Sequence, residues 1–132
     1  ENGKPWDKPF IPIGDKTYTL NDVEHTIIRG RFNEPRIHFA CVCAAKSCPK
    51  LLNTAYTEKK LDEQLNQQTR YFINSSGKNS VKEGELKLSK LFEWYAEDFG
   101  DLNKYIEKYY TGNNYKNDNE IEFLEYNWDL NQ

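Results

Sequence analysis

Arg36-Ile37-His38-Phe39-Ala40-Cys41-Val42-Cys43-Ala44-Ala45 is the stretch whose reading decides the fold. Phe39 to Ala45 is the longest unbroken apolar run in the chain. It is well short of the roughly 20 residues that span a bilayer, so no membrane span is expected. A centre this uniformly apolar fits a strand covered on both faces. Lys46-Ser47-Cys48-Pro49 then leaves the sheet, with the proline holding Cys48 extended.

Upstream of that strand, Leu20, Val23 and Ile27 share one face of a helix that Thr19 or Asn21 caps and Gly30 closes. Thr17 to Leu20 is β-prone, Gly14-Asp15 is a turn, and residues 1–13, with Pro5, Pro9 and Pro12, form an extended arm. Downstream, Thr57 caps a helix to about Asn74, with Leu61, Leu65 and Phe72 on its apolar stripe. Glu83-Gly84-Glu85 joins a short hairpin, Ser89 and Asp101 cap two further helices, and Ile121 to Tyr126 is a last strand. No repeat or linker divides the chain. The expectation is an α+β fold, a single domain over 1–132, with a small sheet, a central buried strand and about four helices packed on it.

A chain of 132 residues suits one domain, and its aromatic content of 14% supplies a core despite 30% charged residues. Acids and bases are interspersed and the net charge is -3, so there is no basic footprint for nucleic acid. Methionine is absent, which predicts a processed chain or an excised piece of a longer one. The expected partner is an unknown small molecule or a protein.

Cys41, Cys43 and Cys48 fall within eight residues, and that cluster is where chemistry concentrates. On a regular strand Arg36, His38, Ala40 and Val42 share one face while Cys41 and Cys43 share the other. His38 then cannot meet either sulfur at one metal, and the C-x-C-x4-C spacing misses the usual zinc knuckle, so neither a metal nor a cofactor is expected. A Cys43–Cys48 disulfide is geometrically feasible at a strand end followed by a turn. Cys41 reads as a small buried hydrophobe.

If the cluster is catalytic, Cys48 or Cys43 is the nucleophile, His38 the base, and Glu24 or Asp129 the orienting group. Backbone N–H groups around Lys46-Ser47 would then polarise a carbonyl. The alternative for His38 is a buried imidazole bonded to a carboxylate. Glu24 lies on the inward side of its helix and calls for a cationic partner, Arg36 or His38. Asp22, His25 and Arg29 line the opposite face, a pattern typical of a solvated surface. Asn74-Ser75-Ser76 matches a glycosylation acceptor, and Phe92, Trp94, Tyr95 and Phe99 read as core.

Four stretches carry a resemblance to a known family. They are Leu20-Asn21-Asp22-Val23-Glu24-His25-Thr26-Ile27-Ile28-Arg29, Arg36-Ile37-His38-Phe39-Ala40, Cys43-Ala44-Ala45-Lys46-Ser47-Cys48-Pro49 and Leu88 through Phe99. With the closing Tyr126-Asn127-Trp128-Asp129-Leu130-Asn131, the chain resembles the domain of unknown function 547 family over nearly its whole length from Pro5. Family members usually carry a further N-terminal segment, so the resemblance implies the C-terminal part of such a domain or a shortened member. Cys41 stands where the family more often has an aliphatic residue. The resemblance also implies a bacterial, exported setting in the periplasm or cell envelope.

The polar residues matching the family's pattern are Glu24, His25, Arg29, Arg36, His38, Cys43, Lys46, Ser47, Cys48 and Asp129. Arg36, Lys46, Ser47, His25 and Arg29 are the candidate binding residues among them. Two readings stand side by side. One is a thiol-dependent hydrolase or transferase built on these groups. The other is a non-catalytic binding or scaffold module of an exported protein with a structural Cys43–Cys48 disulfide.

Overall fold

Gly14-Asp15 reverses the chain, and strands β1 (Ile11–Ile13) and β2 (Lys16–Tyr18) pair antiparallel across it, Ile11 opposite Tyr18. These elements belong to a computed structural model that describes residues 4–131 of an α+β fold. Glu1 to Gly3 of the expected arm, and Gln132, lie outside the described residues. The chain divides into two units, Glu1–Glu34 and Pro35–Gln132.

In the first unit the arm is less irregular than expected, since Pro5–Asp7 forms a 3₁₀ turn and Ile11–Ile13 joins the hairpin. Thr19 is the helix cap. Its hydroxyl accepts from the Asp22 N–H and its own N–H donates to the Asp22 carboxylate, both at 2.9 Å. The Thr19 N–H, and after it the Thr19 hydroxyl, hold the Asp22 carboxyl below its usual range.

The next turn departs from the α-helical spacing. Asp22–Ile28 is π-helical, and the Arg29 N–H reaches back five residues to the Glu24 carbonyl. The wider turn breaks the 3.6-residue register that would have put Leu20, Val23 and Ile27 on one face. Gly30 does not close the helix, which continues as α1 (Arg29–Arg31).

The second unit corrects the central expectation. Pro35–Phe39 is a 3₁₀ segment, and the N–H groups of Ala40 and Cys41 both bond the Ile37 carbonyl, at 3.0 and 2.9 Å. No strand runs from Arg36 to Cys43. Pro35 presets the first turn of a helix, and Ala44, at φ 61°, leaves the extended region altogether. A continuous apolar run demands burial without specifying its geometry. Ile37, His38 and Phe39 are indeed buried consecutively, as a turn sunk into the core permits.

The central buried strand is instead β4 (Glu85–Ser89), between antiparallel β3 (Ser80–Lys82) and parallel β5 (Glu120–Leu124). Here alternation does specify a face: Leu86 and Leu88 are fully buried while Lys87 reaches Glu85 and Glu122 at the surface. Gly84 turns the hairpin at φ 79°, a conformation glycine adopts without strain. Its N–H donates to buried Asn119, which also donates to Asn103 and so ties the start of β5 to the helix that precedes it.

Helix α2 (Leu61–Asn74) follows a short 3₁₀ turn, Glu58–Lys60, rather than starting at Glu58. It buries Leu65, Phe72 and Ile73 but leaves Leu61 exposed. Two buried amides satisfy the backbone that crosses it. Gln64 accepts from the Thr57 N–H and donates to Ala55, while Gln68 donates to Lys50. Ser89 and Asp101 cap α3 (Lys90–Trp94) and α5 (Leu102–Tyr109), with α4 (Ala96–Phe99) between them.

Phe39 rings stack at 4.9 Å on Phe72 and lie against Phe92 and Phe99, so the 3₁₀ segment plugs the core between α2 and the α3–α4 turn. Truncating Phe39 to Ala should therefore cost about 3–5 kcal/mol in denaturant unfolding. Leu61→Ala, on the same expected stripe logic but exposed, should change stability by no more than about 0.5 kcal/mol.

Candidate functional site

The sequence Cys43-Ala44-Ala45-Lys46-Ser47-Cys48 is pinned by the chain's closing segment. Ala45 and Leu130 form an antiparallel bridge. The Lys46 N–H donates to Asp129 at 2.8 Å, the Asn131 N–H to Ala44 at 2.9 Å, and the Ser47 N–H to Asn127 at 3.2 Å. The Ser47 hydroxyl in turn accepts from the Asn127 N–H at 2.9 Å. This clasp fixes the loop that carries both sulfurs.

Within it, left-handed Ala44 folds the chain so that the Ala45 N–H meets the Cys43 sulfur. The Cys43 N–H donates to the Cys48 sulfur at 2.7 Å. The Tyr126 hydroxyl lies 3.4 Å from the Cys43 sulfur. Cys41, Cys43 and Cys48 carry no disulfide, so the expected Cys43–Cys48 bond is here a pair of adjacent thiols.

The two thiols are driven apart in acidity. Burial opposes the Cys43 thiolate, but the Tyr126 hydroxyl, the Ala45 N–H and the Cys48 thiol outweigh it and hold Cys43 below the ordinary thiol value. Cys48 is pushed up to about 11, by burial first and then by the Cys43 thiolate beside it. Burial and the Cys43 charge also raise Tyr126, so its O–H keeps its proton and donates to sulfur. The arrangement makes Cys43 the more acidic thiol and Cys48 the one that holds its proton longer.

The remaining expected groups are distributed as follows. Asp129 and Lys46 form an exposed pair at 3.3 Å beside the loop. The backbone N–H groups of Lys46 and Ser47, expected to polarise a carbonyl, are spent on Asp129 and Asn127. His38 has a fully buried side chain whose Nε2 meets the Asp98 carboxylate at 2.7 Å, with its ring stacked on Tyr95 at 3.9 Å. Arg36 donates to Asp62 at 2.7 Å and Asn66 at 3.0 Å.

Glu24, His25 and Arg29 belong to the first unit. Glu24 is half-buried on the π-helical segment, and Arg29 donates to exposed His25 at 3.2 Å. Asn74, the candidate glycosylation acceptor, spends its amide on the Arg70, Tyr109 and Thr111 backbone, which favours a structural role. Among the described residues, no group of three His, Cys, Asp or Glu is placed to hold a metal ion, and no helix is long and apolar enough to cross a membrane.

Tyr126 is the neighbour of the cysteines that residue-by-residue reading overlooks, together with the Trp94 and Trp128 rings packed on it. The three rings form one cluster, with centroids 4.5 to 5.6 Å apart, and both tryptophans are exposed. Trp94 is thus at the surface rather than in the core with Phe92 and Phe99. The available signal was the closing Tyr126-Asn127-Trp128 motif, which has no meaning until the clasp brings it to the cysteines.

A family model described as "Protein of unknown function, DUF547" matches residues 2–73, more than half of the chain. The chain belongs to this family. The DUF547 match takes in both cysteines of the site and ends before Tyr126. Comparison with curated proteins and with solved structures finds no match.

The raised Cys48 thiol has a consequence for stability with a definite sign. A folded-state value near 11 against about 8.5 in the unfolded chain means that the folded form holds the proton longer. That contribution is fully present below about pH 8.5 and is lost as the pH climbs toward about 11. Denaturant unfolding of the reduced protein should show this alkaline decline, and Cys48→Ser should flatten the part below about pH 10, before tyrosines titrate.

Proposed function

We propose that the 43–48 loop is a thiol-dependent transfer site, with Cys43 as the nucleophile and Cys48 as its proton-holding partner. The observation that carries this reading is the placement of two adjacent cysteines, the Cys48 sulfur on the Cys43 N–H and the Cys43 sulfur beside the Tyr126 hydroxyl, which displaces their acidities in opposite directions. A thiolate near neutral pH is the reactive form of cysteine, and a half-buried position leaves Cys43 within reach of a substrate. Attack by Cys43 displaces a leaving group and leaves the transferred group on sulfur.

Transfer is favoured over hydrolysis by what the loop lacks. Acyl hydrolysis calls for donors aimed at an oxyanion and a base for water. The Lys46 and Ser47 N–H groups are already bonded, and the His38 Nε2 is held by Asp98. Tyr126 takes the place that His38 was expected to fill, through hydrogen bonding rather than proton abstraction. Trp94 and Trp128 supply an exposed apolar surface next to it.

The rival reading is a binding or scaffold module in which Cys43 and Cys48 are bonded for stability, favoured by the closeness of the two side chains. An exported, bacterial setting rests on the resemblance of motifs, and the transfer reading does not depend on it.

Iodoacetamide labelling of the reduced, folded protein tests the reading. Cys43 should alkylate with a pH midpoint below the value of about 8.5 for a free thiol, and Cys48 only at alkaline pH. Tyr126→Phe removes a donor from the Cys43 sulfur, so its midpoint should move upward while the protein stays folded by circular dichroism. Labelling of Cys43 no faster than free cysteine, with the fold intact, overturns the transfer reading and leaves the module.

A further inference from the structure

We propose that the electrophile this site takes is a disulfide, and that Cys43 and Cys48 act together as a reversible dithiol. The inference rests on the transfer reading above and names its substrate class. Three features of the loop carry it: the Cys48 sulfur sits on the Cys43 backbone N–H, the exposures of the two cysteines differ, and an aromatic hydroxyl lies at the Cys43 sulfur.

Contact is the first requirement. The Cys43 N–H bonds the Cys48 sulfur at 2.7 Å and the Tyr126 hydroxyl lies 3.4 Å from the Cys43 sulfur, so the two cysteines sit side by side in the clasped loop. A dithiol closes to a disulfide only where the backbone already brings the pair to bonding range. Exposure supplies the order of events. Cys43 is half-buried and Cys48 is buried at 4% exposure, so an incoming disulfide meets Cys43 first. Cys48 is shielded from substrate, with the Cys43 N–H at its sulfur.

The exchange balances as follows. The Cys43 thiolate attacks one sulfur of RS–SR, forming a Cys43–SR mixed disulfide and expelling RS⁻. Cys48 gives up its proton, and its sulfur attacks the Cys43 sulfur, forming the Cys43–Cys48 bond and releasing a second RS⁻. The Cys48 proton ends on one released thiolate, and the other takes up from water the equivalent of the proton that Cys43 gave up on ionising. Two electrons pass from the dithiol to the substrate, and no further reductant or oxidant enters.

The electrostatics of the pair order the two steps. The Cys43 thiolate is one of the causes that hold Cys48 protonated. Once Cys43 is capped in the mixed disulfide that negative charge is gone, and the Cys48 thiol becomes more acidic at the step that needs it. The resolving thiol is therefore held inactive until the first attack has occurred.

The test uses the reduced full chain, oxidised glutathione at neutral pH, acid quenching and mass spectrometry with alkylation of remaining thiols. The expected wild-type product has lost two alkylatable thiols of three, with a Cys43–Cys48 bond and Cys41 still labelled. Cys48→Ser should accumulate a stable glutathione adduct on Cys43, and Cys43→Ser should form neither product. Three alkylatable thiols in the treated wild type, with rapid iodoacetamide labelling of Cys43 retained, overturn the disulfide assignment and spare the transfer reading. Loss of the rapid labelling as well overturns both.

Discussion

The geometry of the candidate site depends on one clasp, the backbone hydrogen bonds between residues 44–47 and residues 127–131. Neither partner is regular secondary structure on its own. The loop contains a left-handed Ala44, a conformation costing on the order of 1 kcal/mol for a residue with a β-carbon. It is retained because three N–H groups from the two segments find carbonyl partners across the clasp. The same bonds carry Tyr126 to the Cys43 sulfur, with Trp128 packed against the tyrosine ring. Residues more than eighty positions apart in sequence thereby share one environment.

That environment separates two identical thiols. Burial alone would raise both, since a thiolate loses hydration in an apolar setting. Hydrogen bonds decide which one escapes. Cys43 receives donors from Tyr126, Ala45 and Cys48, and their sum overcomes its desolvation. Cys48 receives the Cys43 N–H, but is more buried and faces a negative neighbour. The clasp has a second effect in the opposite direction. By occupying the Lys46 and Ser47 N–H groups it withdraws the donors that acyl chemistry would use, leaving sulfur chemistry as the better match.

Much of the local structure was legible in the sequence because it follows from short-range rules. Thr19, Ser89 and Asp101 cap helices, Gly84 turns a hairpin, and Leu86-Lys87-Leu88 alternates across a sheet. The Arg36–Ala45 reading failed for a physical reason. An all-apolar run carries no period, so a buried 3₁₀ turn and a doubly covered strand look alike. The strand register drawn from it put His38 opposite the cysteines by alternation, whereas His38 is fixed in the 3₁₀ segment by Asp98 and Tyr95. The Cys43–Cys48 proximity was expected from a strand end followed by a turn, and is made instead by left-handed Ala44 and the clasp. The identity of the more acidic thiol was not, because it is set by Tyr126, far along the chain.

The central claim is the inverted acidity of two adjacent cysteines, and nuclear magnetic resonance measures it directly. With cysteine labelled at the β-carbon, the shifts of Cys43 and Cys48 in the reduced protein report each thiol's ionisation as pH is raised. The account predicts that Cys43 titrates first, below the usual value of about 8.5, and that Cys48 follows near 11. Two coincident midpoints near the free-thiol value, or Cys48 ionising before Cys43, would contradict it.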